Sequence, residues 1–489
     1  MEPVFKGLKP ERLWHYFAEI CRIPRPSKKE EKIAAYLMKF AKTQNLEALR
    51  DEVGNILILK KASVGKENLK TVVLQSHIDM VGEKNSGTDH DFETDPIQPH
   101  IENGWVKARG TTLGADDGIG IAAQMAILET DQIEHGPIEC LFTVDEETGL
   151  SGAFGLKPGF LKGKILINLD SEDEGELFIG CAGGKDTVAT MGFSRIMVIA
   201  DTVAYTLKVS GLKGGHSGDD INKGLGNAVK ILSRLLWNCN KKFDIRISSI
   251  DAGNLRNAIA REAFATLVIP RRFNEEFQQY VESFQANVRH ELRITEPNLS
   301  IKSKPTDLPT CLIDISTQEK LLNALFACPH GVLAMSADIP NFVETSTNLA
   351  SVKIVDDKIM IATSQRSSLE SAKECAASMV ASVFALAGAR VEHSDGYPGW
   401  TPNPNSEILE ITRSAYKRLF NQEPKVLAIH AGLECGVIGE KYPGMDMISY
   451  GPTIKGAHSP DERLNIDTVS SFWHLTIEVL KSIPANELT

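Results

Sequence analysis

The hydrophobic and polar positions divide the chain into stretches of different texture. Over roughly the first hundred and seventy residues, short apolar runs alternate with helical spacing. Ser27-Lys28-Lys29-Glu30 reads as a capping box, and Ile33, Leu37, Phe40 and Ala41 continue it at helical intervals. The runs Asn55–Leu59 and Thr71–Ser76 are short and apolar, as expected of strands buried on both faces. A helix is predicted from about Gly118 to Glu129, then strands over Ile138–Val144 and Lys164–Leu169. The alternation resumes near the C-terminus with a helix over Ile408–Leu419, strands over Lys425–Ile429 and Asp446–Tyr450, and a last helix over Thr468–Lys481. This order predicts an α/β domain, a sheet with helices on both sides.

The middle reads differently. Tyr205–Val209 has the pattern of a strand and Gly224–Trp237 that of a helix. Strands are expected between Ile245 and Arg272, and again from Ser351 to Arg366, each set followed by a helix. Both sets carry an Asn-Leu pair ahead of a strand ending in arginine: Asn254-Leu255 with Arg272, and Asn348-Leu349 with Arg366. This reads as a weak internal duplication, an insert of two related α+β units, with chance recurrence as the alternative. The expected division is residues 1–186 and 397–489 as one domain, with 187–396 inserted.

Composition narrows the function classes. The 489 residues are 42% hydrophobic and 24% charged, too many for one core. A net charge of −11 without basic stripes makes nucleic acid a poor partner. No apolar run approaches the roughly 20 residues of a membrane span, and no secretory leader is read at Met1–Lys6. Eight scattered cysteines, none in a CxxC pair, argue against a thiolate metal site and a disulfide framework. A cytoplasmic setting is expected.

The chemistry-bearing residues gather at predicted strand ends. His77-Ile78-Asp79 closes one apolar strand. Asp145-Glu146-Glu147 follows another, and Asp170 ends a third. Asp116 and Asp117 lie in a glycine-rich turn leading into a helix, and His458 lies in the loop Gly456–Pro460. Open α/β sheets hold ligands at carboxyl strand ends. Imidazoles with carboxylates and without thiolates suit zinc, cobalt or manganese in hydrolysis. Singly, each residue has a plainer reading: a strand-end aspartate is more often a cap or turn former. The joint occurrence of five such groups favours the metal reading.

Three other patterns carry less. Gly183-Gly184-Lys185 lacks the hydroxyl residue and first glycine of a phosphate loop. His216-Ser217-Gly218 has no strand–elbow–helix context for a serine nucleophile. His430 and Glu434 stand at helical i, i+4 spacing, but Gly432 between them favours a structural role.

The segments Ser76–Met80, Gly114–Gly118, Asp145–Gly149, Asn168–Asp170 and Gly456–Ser459 occur in the order typical of co-catalytic zinc aminopeptidase-like enzymes. Within that group the chain resembles the bacterial aminoacyl-histidine dipeptidases, also called Xaa-His or cytosolic non-specific dipeptidases. The resemblance implies a zinc-peptidase-like catalytic domain and an inserted α+β lid. It assigns His77 and Asp170 to one metal, Glu147 and His458 to the other, and Asp116 as the bridge. Asp79 would orient His77, and Glu146 would be the general acid/base acting on a metal-bridged hydroxide. The implied cofactors are two Zn2+ ions, with Co2+ or Mn2+ able to substitute. In the lid, His216 would polarise the substrate carbonyl, and Arg366 and Asn257 would hold the substrate's carboxylate and backbone, with Arg271 and Arg272 as alternatives. The implied substrates are dipeptides, Xaa-His and β-alanyl-histidine among them. The alternatives are an N-acyl amino acid deacylase with the same metal site and a non-catalytic metal-dependent binding protein. Relatives with a lid are commonly homodimers. The peptide after the bridging aspartate, here Asp116-Asp117, is often cis in the family, and many relatives have asparagine where this chain has Asp117.

Overall fold

The structure, a computed structural model, describes residues 3–486. The chain forms two compact units. One comprises Met1–Gly180, Pro402–Ala428 and Leu433–Thr489; the other comprises Cys181–Thr401 and Ile429–Gly432. The second unit begins earlier than the expected residue 187 because Gly183–Gly192 is a strand of its own sheet. Tyr397 and Trp400 stay with it because they bridge to Gly184 and Cys181.

The first unit is built on an eight-stranded mixed sheet. Its centre is four parallel strands in the order Ile138–Thr143, Val72–His77, Ile165–Asn168 and Asp446–Ser449. All of the first three are buried throughout, which is why they read as short, mainly apolar runs. The strands Ile56–Lys60 and Glu47–Arg50 extend one side antiparallel. Helices Ala115–Glu129, Glu31–Thr43 and Glu407–Phe420 pack on the sheet. Residues Ile33, Leu37, Phe40 and Ala41 are buried at the predicted spacing. The capping box itself does not form. Ser27 Oγ donates to Asp79 Oδ2 (2.7 Å), and Glu30 is the cap position, with no side-chain cap bond.

In the second unit, a nine-stranded sheet carries two quartets of the same design. The first runs Thr202–Ser210, helix Ala228–Phe243, Arg246–Gly253, Ala263–Pro270, helix Asn274–Glu291, Ser300–Thr306. The second runs Gly183–Gly192, helix Ile315–Ala327, Val343–Val355, Lys358–Ser367, helix Glu370–Leu386, Arg390–His393. Each has the succession βαββαβ, and in each the strands lie in the order fourth, first, third, second. The quartets join through their second strands, Asp251–Gly253 pairing with Ser351–Lys353. The first quartet is inserted after the first strand of the second. Its two ends are tied by the ribbon Arg195–Ile196 with Leu312–Ile313. The Asn-Leu pairs are not equivalent positions, however: Asn254 follows its strand, whereas Asn348 lies inside Val343–Val355. Among the described residues no helix is long and apolar enough to cross a membrane.

Candidate active site

Three adjacent parallel strands of the first unit deliver side chains to one place. His77 is the last residue of the central strand, and Asp170 lies two residues past its neighbour on one side. On the other side, Asp145 adopts a left-handed conformation (φ 52°) that turns the chain into the short helix Glu146–Gly149. That turn is held by side chains: the Asp145 carboxylate accepts from Thr148 Oγ1 and Ser151 Oγ, and its N–H donates to Glu30. Asp116 comes from the start of helix Ala115–Glu129, and His458, also left-handed (φ 60°), comes from its loop. The Asp116-Asp117 peptide is cis.

The geometry centres on the Asp116 carboxylate. Its Oδ1 lies 3.0 Å from His77 Nε2, which is 3.3 Å from Asp170 Oδ1. Its Oδ2 lies 3.1 Å from His458 Nε2, which is 2.9 Å from Glu147 Oε2. One carboxylate therefore gives one oxygen to each of two clusters. Glu146 stands against His77 and Glu147, with one donor atom of each within 4.8 Å of the others. Asp79, fully buried, approaches His77 Nδ1 at 3.4 Å. It also accepts the backbone N–H groups of Glu146 (3.0 Å) and Glu147 (3.2 Å), so one side chain fixes both the imidazole and the glutamate turn.

Electrostatics follow from crowding. Burial pushes Glu146 well above the usual carboxylate range; Asp170, Glu434 and Glu147 add to this, and His77 opposes it. Burial likewise carries Asp170 up to about 7. Asp116 is held well below its ordinary value, burial being outweighed by hydrogen bonds from His458 and His77. His458, hydrogen-bonded to Asp116 and Glu147, rises to about 11. His77 is also raised, its burial being outweighed by Asp170 and Asp116.

These residues fit a pair of divalent cations. The donors are imidazole nitrogens and carboxylate oxygens without thiolate, the set suited to zinc, cobalt or manganese. Glu147 Oε1 is buried with no hydrogen-bond partner, an open lone pair inside the cluster. A cation there would take the place of protons shared between imidazole and carboxylate.

A model of peptidase family M20/M25/M40 matches residues 73–481, a span that holds every member of the cluster. The chain belongs to that family. The cytosol non-specific dipeptidase of Escherichia coli (strain K12) is 46% identical over 478 residues, 98% of this chain and 99% of that protein. The crystal structure of aminoacylhistidine dipeptidase from Vibrio alginolyticus matches with a TM-score of 0.92 at 45% identity, covering 99% of both chains. Aminopeptidase PepT from Bacillus cereus shares the fold, with a TM-score of 0.57 at 16% identity over 97% of this chain and 99% of that one.

As an M20 peptidase the chain is a metal-dependent hydrolase. The three remaining predicted site residues lie in the second unit. His216 and Asn257 are held together by the ribbon Gly215–His216 with Ala258–Ile259 and by Ser217 N–H donating to the Asn257 carbonyl (2.8 Å). His216 Nδ1 faces Asp219 Oδ2 at 3.2 Å. Asn348 pins the same loop, donating to the carbonyls of Arg256 and Ala258 on either side of Asn257. Arg366 is 7% exposed; its Nη1 donates to Tyr397 Oη (2.8 Å), and its Nε has no partner. Arg366 and Asn257 line one open cavity of about 230 Å³ with Lys185, Arg256 and Tyr397. Arg271 and Arg272 are exposed and outside it; Arg271 pairs with Asp201 and Arg272 stacks on Phe273. His430 and Glu434 form no helical pair, since the helix begins only at Glu434; His430 Nε2 instead meets Ser346 Oγ at 2.7 Å.

Sequence reading gave no part in the site to three charged residues that the structure places there. Glu462 accepts the backbone N–H groups of Leu113, Gly114, Ala115 and Asp116 at 2.6–3.3 Å, clamping the turn that presents Asp116. Arg25, buried, donates to the carbonyls of Ile78, Asp79 and Gly114. Glu434 lies under the cluster. No motif marks Glu462 or Arg25, closeness to His458 being the single signal for Glu462, and Glu434 stood out only for its spacing from His430. Asp117 is buried, caps the Gly120 N–H (3.1 Å) and is pushed up by burial and by Asp170.

Proposed function

We propose that this M20 peptidase hydrolyses dipeptides, Xaa-His and β-alanyl-histidine included, with two Zn2+ ions that Co2+ or Mn2+ can replace. The carrying observation is the Asp116 carboxylate, shared oxygen by oxygen between the His77–Asp170 and His458–Glu147 clusters. Those five residues would hold the two ions, which when bound would polarise the scissile carbonyl and acidify the attacking water.

The rest falls to the chain's own groups. Glu146 takes the proton of the attacking water on its carboxylate and returns it to the departing amine, one group serving as base and then acid. Its burial favours holding that proton between the two steps. Asp79 keeps the His77 ring and the Glu146 turn in register. The second unit acts as a lid that brings His216 to the carbonyl oxygen and excludes water. Arg366, a buried guanidinium whose hydrogen-bond partner is a phenol, is suited to grip the substrate's free carboxylate, with Asn257 holding its backbone. A grip one residue past the scissile bond favours dipeptides over longer chains. The relative's name, cytosol non-specific dipeptidase, supports a cytoplasmic setting for this chain as well.

The test is hydrolysis of β-alanyl-histidine, glycyl-histidine, a tripeptide and an N-acetyl amino acid, after chelation and after zinc is restored. Dipeptide cleavage that disappears and returns with zinc supports the reading. Cleavage of the acyl amino acid alone replaces it with a deacylase, and no metal-dependent cleavage replaces it with a binding protein. Glu146→Ala should bind both metals and lose turnover.

A further inference from the structure

Directly beneath the cluster a row of buried polar side chains crosses the four parallel strands. Thr143, Gln75, Asn168 and Ser449 each lie on a different central strand, and all four are 0% exposed. Gln75 and Asn168 precede His77 and Asp170 by two residues, so they share a strand face with those side chains. The row is continuous. Ser171 Oγ meets Ser449 Oγ (2.6 Å), and Ser449 Oγ donates to Asn168 Oδ1. Asn168 Nδ2 donates to Gln75 Oε1 (2.6 Å), and Gln75 Nε2 donates to Glu434 Oε2 (2.5 Å). Thr143 Oγ1 donates to the same Glu434 oxygen (2.6 Å). Asn168 Oδ1 also lies 3.4 Å from the Asp170 N–H.

The direction of every bond in this row follows from its head. A carboxylate acceptor at Glu434 makes Gln75 present its NH2 there and turns its oxygen toward Asn168. Asn168 must then present its own NH2, which leaves Oδ1 for Ser449 and the Asp170 N–H. Without an acceptor at the head, both amides are free to reverse, and the Asp170 N–H then faces an NH2 group. Amide rows with one acceptor at the end have one orientation; without it they have two.

We propose that Glu434 is a positioning residue, which sets the polarity of this buried row and through it the spacing of the strand-end ligands His77, Glu147 and Asp170. It is not among the residues of the ligand clusters themselves. The inference rests on the two-metal reading above. Partners that orient metal ligands typically change affinity or activity by about 10- to 100-fold when removed.

The experiment is a cobalt(II) titration of the metal-stripped enzyme, followed by visible absorption, for wild type, Glu434→Met and Glu434→Gln. Steady-state kinetics on glycyl-histidine accompany it. Glu434→Met should bind cobalt about tenfold or more weakly with an altered absorption band, and should lose kcat with KM within threefold. Glu434→Gln, whose carbonyl can still accept both bonds, should restore affinity and band. Should Glu434→Met not fold, Asn168→Asp, which removes the donor to Gln75 in the middle of the row, should show the same weakening. A wild-type band and affinity in Glu434→Met, or in Asn168→Asp, overturns the proposal. Failure of the wild type to bind cobalt at all overturns the metal reading and this inference with it.

Discussion

The clamp on the Asp116 turn can be tested by one atom's change. In Glu462→Gln the side chain keeps its size, but one of two oxygens becomes an NH2 group. Oε2 now accepts from Leu113 and Gly114 (2.6 and 2.9 Å), and Oε1 from Ala115 and Asp116 (2.7 and 3.3 Å). Whichever way the glutamine faces, two buried N–H donors meet another donor. Each such group left unpaired costs about 1–3 kcal/mol. Partial relaxation of the turn returns some of this, so the expected loss is about 3 kcal/mol. The turn also presents Asp116 to both clusters, so zinc affinity should fall about 10- to 100-fold. Urea unfolding of the metal-free protein measures the first quantity, and zinc competition against a chromophoric chelator measures the second. Asp461→Asn, at the exposed neighbouring position, is the control and should stay within about 0.5 kcal/mol. Wild-type stability together with wild-type zinc affinity in Glu462→Gln would refute the clamp.

Other outcomes follow from the same packing. A Cβ at Gly120 would sit 2.4 Å from Asp117 Oδ1, so Gly120→Ala should cost about 1–3 kcal/mol in thermal unfolding; a neutral result removes the cap from Asp117. His330 accepts the Leu349 N–H at Nδ1 (3.3 Å), and burial pushes its pKa down to about 4. Its contribution is complete above the unfolded value near 6.5 and is lost as pH falls toward 4, about 2 kcal/mol by pH 5. The stability gap between wild type and His330→Gln should therefore narrow from pH 7.5 to pH 5, and a constant gap would count against it. Chelation should lower the melting temperature, since free zinc at a thousand times Kd stabilises by about 4 kcal/mol. An unchanged melting curve would show that zinc does not bind the folded state.

Much of the first unit was legible because its central strands are buried on both faces and so begin as short apolar runs. The residues at or just beyond their ends, His77, Glu146, Glu147 and Asp170, stand out as polar groups there. What stayed hidden depends on partners distant in sequence. Ser27 has the spacing of a cap, yet its hydroxyl goes to Asp79, fifty-two residues on. Glu462 reads as one more loop acid until four N–H groups converge on it from three hundred and more residues away. Glu434 paired in sequence with His430, but its contacts are Gln75 and Thr143. The duplicated quartets left a trace of strand and helix order, while the Asn-Leu pairs that drew attention to it hold inequivalent places.

The strand Asp446–Ser449 sits inside the first unit's sheet, between Ile165–Asn168 and Glu176–Cys181, although the whole second unit is made before it. On a ribosome adding about 5–20 residues per second, that order imposes a delay on the order of ten to fifty seconds. Through that interval the edge of Ile165–Asn168 that Asp446–Ser449 later covers is unpaired. Nascent chains of this protein thus pass through a stage with an apolar strand edge not yet covered. A message truncated anywhere before codon 446 yields a chain in which that edge is never covered, and without His458.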